Sequence, residues 1–119
     1  MRYILNSAVV TAPGHYEYRS SRAVDHAWSY RLDEAAAWLA EPGWISTVGY
    51  AETAAAMSEL FGVEIPVDRR TITMHPGDEA LVFRLVFPAG YRPDPATKGQ
   101  LGAAFIREHC EVGLLRRLA

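Results

Sequence analysis

Cysteine and lysine are almost absent from this sequence of 119 residues, in which Cys110 and Lys98 are the single examples of each type. One cysteine excludes an internal disulfide and a cysteine-based zinc site, so a buried structural thiol is the expected role of Cys110. The other basic residues are arginines, and the planar guanidinium group can hold a carboxylate or a phosphate through two hydrogen bonds.

An excess of positive charge is also lacking, since 12 basic residues stand against 14 acidic ones and give a net charge of −2. This balance argues against a protein that coats a long nucleic acid, because such a protein needs a basic face. No apolar run approaches the roughly 20 residues of a membrane-spanning helix, and the apolar stretch at the start is too short for a signal peptide. We therefore expect a soluble, cytoplasmic protein with neither a membrane nor a long nucleic acid as its partner.

Length and apolar content indicate one globular domain over residues 1–119, since half of the residues are hydrophobic. Local patterns predict the following elements: a strand ending near Leu5, a strand over His15–Ser20, a helix capped by Asp33 and ended by Pro42-Gly43, a strand over Trp44–Val48, a helix over Ala51–Phe61 closed by Gly62, a hairpin of Arg70–Met74 and Glu79–Phe87 around the turn His75–Asp78, a helix over Ala96–His109 and a last strand over Val112–Leu118. Together these elements predict an α+β (or α/β) domain, in which a small mixed sheet is flanked by about three helices.

Two predicted strand ends carry polar groups suited to a ligand. Gly49–Thr53 spans a strand-to-helix junction, where a helix N-terminus presents N–H groups to an anion. Thr53 adds a hydroxyl there, and the ring of Tyr50 can stack on a base. Asn6 and Ser7 follow the first strand, and ligands commonly bind in the crevice beyond strand ends. An ordinary helix start and a simple turn are the alternative interpretations.

Arg69 and Arg70 are adjacent guanidiniums ahead of a predicted strand. Because consecutive strand residues face opposite ways, at most one of them is expected to enter a shared site, and a solvated pair is the alternative. The four histidines are dispersed along the chain: His15, His26, His75 and His109. No two of them have the spacing of metal ligands on a helix, so we expect no metal and no cofactor.

Five segments together carry a resemblance to a known family: Tyr3–Ser7, Ile45–Ala54, Leu60–Arg69, Met74–Leu85 and Glu111–Leu118. Their order and spacing resemble the viral ring nuclease family, which comprises small archaeal-virus proteins, type III anti-CRISPR proteins and bacterial relatives. The resemblance implies a homodimer whose interface pocket binds cyclic tetra-adenylate, the second messenger of type III CRISPR antiviral defence. Known members cleave that ring without a metal, through attack of a ribose 2′-hydroxyl on the neighbouring phosphate.

The sequence departs from the family pattern where the chemistry is expected. The family's catalytic histidine belongs to a glycine–histidine element that opens the second helix, and this chain has Gly49-Tyr50 there. A phenol is a poorer proton donor and acceptor at neutral pH than an imidazole. An arginine and a glutamate that follow the family's hairpin strand are missing from Leu85–Gly90. By position, Tyr50 is the candidate catalytic residue, and Arg84 is the candidate replacement for the missing cation.

The resemblance and the departures together predict a homodimer that binds a cyclic oligoadenylate, with cyclic tetra-adenylate as the expected ring, and hydrolyses it weakly or not at all. The predicted ligand-binding residues are Asn6, Ser7, Gly49, Thr53, Arg69 and Arg84. Two alternatives stay open. One is an active metal-independent ring nuclease, because positioning of the 2′-hydroxyl already accelerates in-line attack. The other is a protein-interaction module on the same fold.

Overall fold

Five strands and three helices make up the part of the chain that the computed structural model describes, residues 1–6, 12–22, 29–86 and 103–119. In chain order they are β1 (Arg2–Leu5), β2 (Tyr16–Ser20), α1 (Leu32–Ala40), β3 (Trp44–Ser46), α2 (Ala51–Phe61), β4 (Glu79–Leu85), α3 (Ala103–Glu108) and β5 (Cys110–Arg117). The predicted α+β class, a small mixed sheet with about three helices, is confirmed.

The strands form one mixed sheet in the order β2-β5-β4-β1-β3. β1 pairs in parallel with both β3 and β4, so that Tyr3 lies between Ile45 and Ala80. β5 is antiparallel to β4 on one side and to β2 on the other. The carboxyl ends of β1, β3, β4 and β2 therefore meet the amino end of β5 at the same edge of the sheet.

The two faces of the sheet are covered differently. The helices pack on one face, where the largest fully buried side chains include Ile4, Phe83 and Met57. On the opposite face Tyr3, Val82 and Leu115 are buried with Met74, and Ile72 packs against them. Strand alternation explains this division, because neighbouring residues such as Val82 and Phe83 point to opposite faces.

Helix α2 has the bounds that the sequence predicts, Ala51–Phe61. Gly62 ends it in the left-handed conformation with φ of 67°, and its N–H donates to the carbonyl of Ser58 at 2.9 Å. Ala54, Ala56 and Met57 form its buried stripe, which holds the helix against the sheet. The first turn of α2 is thereby fixed close to the end of β3.

The predicted cap of α1 is wrong by two positions. Arg31 occupies the N-cap position, and Asp33 lies within the first turn, where it accepts hydrogen bonds of 3.1 Å from the Arg31 guanidinium. The physical reason is that the amide of Arg31 donates to the Glu34 carboxylate at 3.3 Å, so the helix begins two residues earlier than the Asp33 signal indicates.

The predicted β-hairpin is also wrong. The turn at His75–Asp78 exists, with the Asp78 amide donating to the His75 carbonyl at 2.9 Å, but residues 64–75 form no ladder with any described strand. β4 instead pairs with β1 and β5. The alternation over Arg70–Met74 has another cause: Ile72 and Met74 both pack on the second face of the sheet, although their backbone belongs to a loop.

The end of the chain agrees in part with the sequence. α3 and its continuation to His109 fall inside the predicted helix over Ala96–His109, whose residues 96–102 lie outside the described part of the chain. β5 begins at Cys110, two residues earlier than predicted. Cys110 is 7% exposed, and burial raises the pKa of its thiol, which agrees with the expected buried thiol.

Candidate functional site

A cavity of about 370 Å³ lies at the carboxyl ends of the parallel strands β1 and β3. Its lining residues are Asn6, Thr47, Gly49, Tyr50, Arg69, Arg70 and Thr71. Asn6 follows β1 directly, Thr47 follows β3, and Gly49-Tyr50 leads into α2. This is the position at which open α/β sheets commonly bind ligands, and its volume is within the range of small-molecule pockets.

Hydrogen bonds beyond the ends of the strands shape this cavity. The backbone N–H and the hydroxyl of Thr47 both donate to the carbonyl of Ile4, at 2.9 and 2.8 Å. The hydroxyl proton of Thr47 is therefore bonded to the backbone and is not available to a ligand. This double contact extends the β1–β3 pairing beyond Ser46 and places Gly49 beside Asn6.

The loop that follows α2 is fastened to the same strand end. Ser46 donates its hydroxyl proton to the Pro66 carbonyl at 2.6 Å, and the Asp68 amide donates to the Val48 carbonyl at 3.0 Å. Since Arg69 follows immediately, these bonds carry its side chain across the start of α2. The cavity is thus closed on one side by a loop that the sheet itself positions.

Arg69, Gly49 and Tyr50 form one contact group. The Arg69 guanidinium lies over the Tyr50 ring, 5.4 Å from its centroid, a cation–π geometry. The stem of Arg69 passes directly over Gly49, where an added Cβ would lie only 3.0 Å from Cγ. Gly49 therefore allows the Arg69 stem to approach closely, and Tyr50 still leaves 44% of its surface exposed to solvent.

The start of α2 adds partial positive charge to the same wall. Tyr50 is the N-cap residue, with extended backbone angles and no capping hydrogen bond from its side chain. The amides of a first helical turn have no carbonyl acceptor within the helix, and the helix dipole places positive potential there. Together with Arg69, this end of the helix makes the cavity suited to an anion.

Both adjacent arginines line the cavity, so the expectation that at most one would enter it is wrong. That expectation assumed a strand, and the loop geometry of residues 64–75 does not impose alternation. Arg70 forms an ion pair with Asp68, which restrains its guanidinium. Sequence reasoning also missed Thr47 and Thr71, and only the loop's position could have indicated Thr71.

The structure does not bring every predicted ligand-binding residue to the cavity. The cavity is lined by four of the predicted site residues, Asn6, Gly49, Tyr50 and Arg69. Thr53 is buried within α2 and is not among the lining residues. Ser7 lies outside the described residues, as do positions 87–90, which cover most of the segment lacking the family's arginine and glutamate.

Arg84 points to a different partner. Its Nε donates to Glu111 Oε1 at 2.6 Å across the β4–β5 pair, and Ser20 donates to Glu111 Oε2 at 2.5 Å. Burial tends to raise the pKa of Glu111, but these two hydrogen bonds and the charge of Arg84 outweigh it, so that the pKa of this carboxyl is lowered. Arg84 thus neutralises a buried carboxylate.

Metal-binding geometry is not found in the described ranges, which hold no group of three or more histidine, cysteine, aspartate or glutamate side chains able to share an ion. His15, His75 and His109 do not line the cavity, and His26 lies outside the described residues. No helix of the described part is long and apolar enough to cross a membrane.

Comparisons with known proteins find small proteins of archaeal viruses. A family model described as STIV B116-like matches residues 2–87. "Uncharacterized protein 26" of Sulfolobus islandicus filamentous virus (isolate Iceland/Hveragerdi) is 38% identical over 81 residues, which are 68% of this chain and 64% of that protein. The chain thus matches less than two thirds of that relative's length. The solved structure of B116 of Sulfolobus turreted icosahedral virus superposes with a TM-score of 0.73 at 14% identity, covering 98% of both chains, and supports the fold alone.

Proposed function

The chain belongs to the STIV B116-like family, and we propose that it is a homodimer that binds a cyclic oligoadenylate, cyclic tetra-adenylate first of all, in the cavity at the ends of β1 and β3. The observation that carries this proposal is the convergence of Arg69, Tyr50 and Asn6 on one cavity beside the first turn of α2. These three residues are far apart in sequence, so it is the fold that brings them together.

The chemistry of the lining matches the parts of such a ligand. A guanidinium fork and the N-terminus of a helix suit the non-bridging oxygens of a phosphodiester. The exposed Tyr50 ring offers a stacking surface for adenine, and base–aromatic stacking contributes about 1–3 kcal/mol per base. The Asn6 amide provides both a donor and an acceptor for a base edge or a ribose hydroxyl.

A dimer fits the symmetry of the proposed ligand. A ring of four identical nucleotides has a two-fold axis, and two identical half-sites related by a two-fold axis can each take half of it. One half-site then needs to bind only two phosphates. A net charge of −2 for the chain is compatible with that requirement, because the positive groups are local to the cavity. Such a ligand implies action in the cytoplasm of a host cell.

Hydrolysis is proposed to be weak or absent. Cleavage of a phosphodiester by the 2′-hydroxyl needs a proton donor for the leaving oxygen, and Tyr50 stands where the resemblance places a histidine. No imidazole among the described residues lines the cavity. In this form the protein acts by sequestering the messenger or by sensing it.

A gel-shift titration tests binding. Labelled cyclic tetra-adenylate is mixed with the protein, beside cyclic tri-adenylate, cyclic hexa-adenylate and a linear tetra-adenylate. Retardation of cyclic tetra-adenylate at micromolar protein is expected, and its absence for every cyclic ligand would refute the proposal. Arg69→Gln is expected to weaken binding about tenfold or more, as loss of a charged hydrogen bond costs roughly 1.5–3 kcal/mol. Arg31→Gln is the matched control, because Arg31 is exposed and pairs locally with Asp33.

An active ring nuclease is the second candidate, and the presence of two arginines at the cavity favours it. Arg69 and Arg70 can stabilise the charge that builds on the phosphate during in-line attack. Single-turnover incubation without metal would then give linear di-adenylate with a cyclic phosphate end. Intact ligand after prolonged incubation, with binding retained, excludes this candidate. Tyr50→His is expected to raise the cleavage rate if proton transfer is what the native site lacks.

A further inference from the structure

A second cavity, of about 410 Å³, lies at the opposite end of the same sheet edge, where β2 ends and β5 begins. Its lining residues are Ser21, Arg22, Leu32, Arg107, Glu108 and Cys110. None of them belongs to the first cavity. We propose that this second cavity is a separate phosphate-binding site, which takes the phosphate group of a mononucleotide or of an oligonucleotide end between Arg22 and Arg107.

Two different elements supply the guanidiniums, and both are fixed by the backbone. The turn after β2 is tied to β5 on two sides: the Ser21 amide donates to the Val112 carbonyl at 2.8 Å, and the Val112 amide donates to the Ser21 hydroxyl at 3.1 Å. The amide of Arg22 donates to the Ser20 hydroxyl at 3.1 Å. Arg22 therefore leaves the turn from a defined position.

The other guanidinium comes from the last turn of α3. The His109 amide donates to the Phe105 carbonyl at 3.0 Å, and the His109 carbonyl accepts from the Val86 amide at 2.6 Å. This pair of bonds sets the end of α3 against the end of β4, and so places Arg107 over the start of β5. The site is thus built by the junctions of three strands, and its arginines come from separate parts of the chain.

The charges of the lining suit a single phosphate group. Arg22 and Arg107 carry two positive charges and Glu108 one negative charge, which leaves one net positive charge in the cavity. Both arginines act on the Cys110 thiol: burial raises its pKa, and the two guanidiniums oppose that rise. The two guanidiniums therefore both lie close to the part of the cavity that Cys110 lines. Leu32, a half-buried lining residue, offers apolar contact to a sugar or a base.

The position in the sheet supports an anionic ligand further. β5 runs antiparallel to β4, so its first residues lie at the edge where β1 and β3 end. The first cavity holds Arg69 and Arg70 and the second holds Arg22 and Arg107, whereas the charge of Arg84 on β4 is neutralised by Glu111. Neighbouring strands are about 4.8 Å apart, which puts the axes of β1 and β5 roughly 10 Å from each other. A row of guanidiniums at this edge attracts phosphates to both cavities.

Cys110 makes the proposal directly testable, because it lines the second cavity and is the single thiol of the chain. Alkylation of Cys110 by a small reagent is followed by mass spectrometry at about pH 9, where slow reaction is expected because the thiol is buried, its pKa is raised and only the thiolate reacts. Adenosine monophosphate at about ten times its dissociation constant is expected to slow alkylation about tenfold, in proportion to occupancy. Inorganic phosphate is expected to protect more weakly, and adenosine not at all.

Variants decide whether the protection comes from this cavity. Protection is compared as the ratio of rates with and without ligand, since loss of a nearby charge also changes the intrinsic reactivity of the thiol. The double variant Arg22→Gln, Arg107→Gln is expected to lose protection, and Arg22→Lys, Arg107→Lys to retain part of it. Arg69→Gln is expected to retain it fully, which separates this site from the one proposed above. Thermal melts check that each variant folds.

Two results would overturn the proposal. One is the absence of protection by both adenosine monophosphate and phosphate at millimolar concentrations. The other is protection that persists in the folded double glutamine variant, because the phosphate would then be bound elsewhere. Neither result affects the interpretation of the gel shift with cyclic tetra-adenylate, so the proposals for the two cavities are tested independently.

Discussion

The guanidinium of Arg69 lies 5.4 Å from the centre of the Tyr50 ring, and this contact joins the loop after α2 to the residue that starts α2. Both residues line the same cavity. A cation–π pair of this kind is worth about 0.5–1 kcal/mol at an exposed site. It serves to hold two ligand-facing groups in a fixed relative position.

Gly49→Ala tests the importance of that position. The new Cβ would lie 3.0 Å from Cγ and 3.2 Å from Cδ of Arg69, so the arginine stem, and with it the guanidinium over Tyr50, must shift by a few tenths of an ångström. Since a flexible side chain can yield, we expect an almost unchanged melting temperature and about a two- to fivefold loss of affinity for cyclic tetra-adenylate. Gel shift and thermal melting measure the two effects. Unchanged affinity would show that the Arg69–Tyr50 contact does not matter for binding.

Gly62→Ala separates conformational strain from close approach. Nothing lies within 4 Å of an added Cβ at this position, but φ is +67°, a left-handed conformation that disfavours alanine. We expect the free energy of unfolding to fall by about 1 kcal/mol in urea titrations. Gly62→Asn should lose less, because asparagine adopts this conformation more readily. Equal losses for both variants would contradict the strain argument.

Glu111→Gln tests the buried carboxylate and its pH dependence. The pKa of Glu111 is lowered in the folded protein, so its contribution to stability is present above its ordinary value of 4.5 and is lost as the pH falls through the folded value. At pH 7 the variant should be about 1–3 kcal/mol less stable. The difference should shrink towards about pH 3.5.

Urea titrations at both pH values measure the difference in free energy of unfolding between the native protein and the Glu111→Gln variant. This difference reports on Glu111 alone, because other titrating groups are the same in both proteins. Asp78 also has a lowered pKa, because the hydrogen bond from the His75 amide and nearby positive charge outweigh its burial. That effect is common to both proteins and cancels. A stability difference that stays constant across the range would mean that the carboxylate charge contributes nothing.

Phe83→Ala measures the main core. Phe83 is fully buried and meets the ring of Phe61 edge to face, with centroids 6.0 Å apart. Its truncation is expected to cost about 3–5 kcal/mol, read from denaturant titrations, with Phe83→Leu as a milder variant should the alanine protein not fold. Leu118→Ala is the control, because Leu118 is 55% exposed and should change stability by no more than about 0.5 kcal/mol.

Local determinants explain which elements the sequence predicts. The bounds of α2 follow from a helical stripe and a glycine that suits its cap, both within one short stretch. The partner of a strand is not a local property. The alternation of Ile72 and Met74 with polar residues predicts a hairpin partner for β4, but those side chains reach the sheet from a loop. The ladder partners of β4 lie far away in sequence.

The same distinction applies to the cavity. Asn6 and Gly49-Tyr50 were predictable as ligand-facing, since parallel strands bring their carboxyl ends together. Arg70 and Thr71 were not, because the sequence does not reveal that the Ser46 hydroxyl and the Val48 carbonyl fasten the loop after α2. The second cavity was missed entirely, since its two arginines are far apart in the chain.

The position of β1 between β3 and β4 has a consequence for how the chain acquires its fold. Both partner strands of β1 are synthesised much later than β1 itself. Tyr3, for example, pairs with Ile45 on one side and with Ala80 on the other. Parallel pairings of this separation close large loops, and topologies dominated by such contacts fold slowly. During synthesis β1 therefore has no partner until β3 has emerged at residue 46 of 119, and its pairing with β4 is possible only after about two thirds of the chain has been made. The sheet becomes complete only when β5 joins β4 to β2.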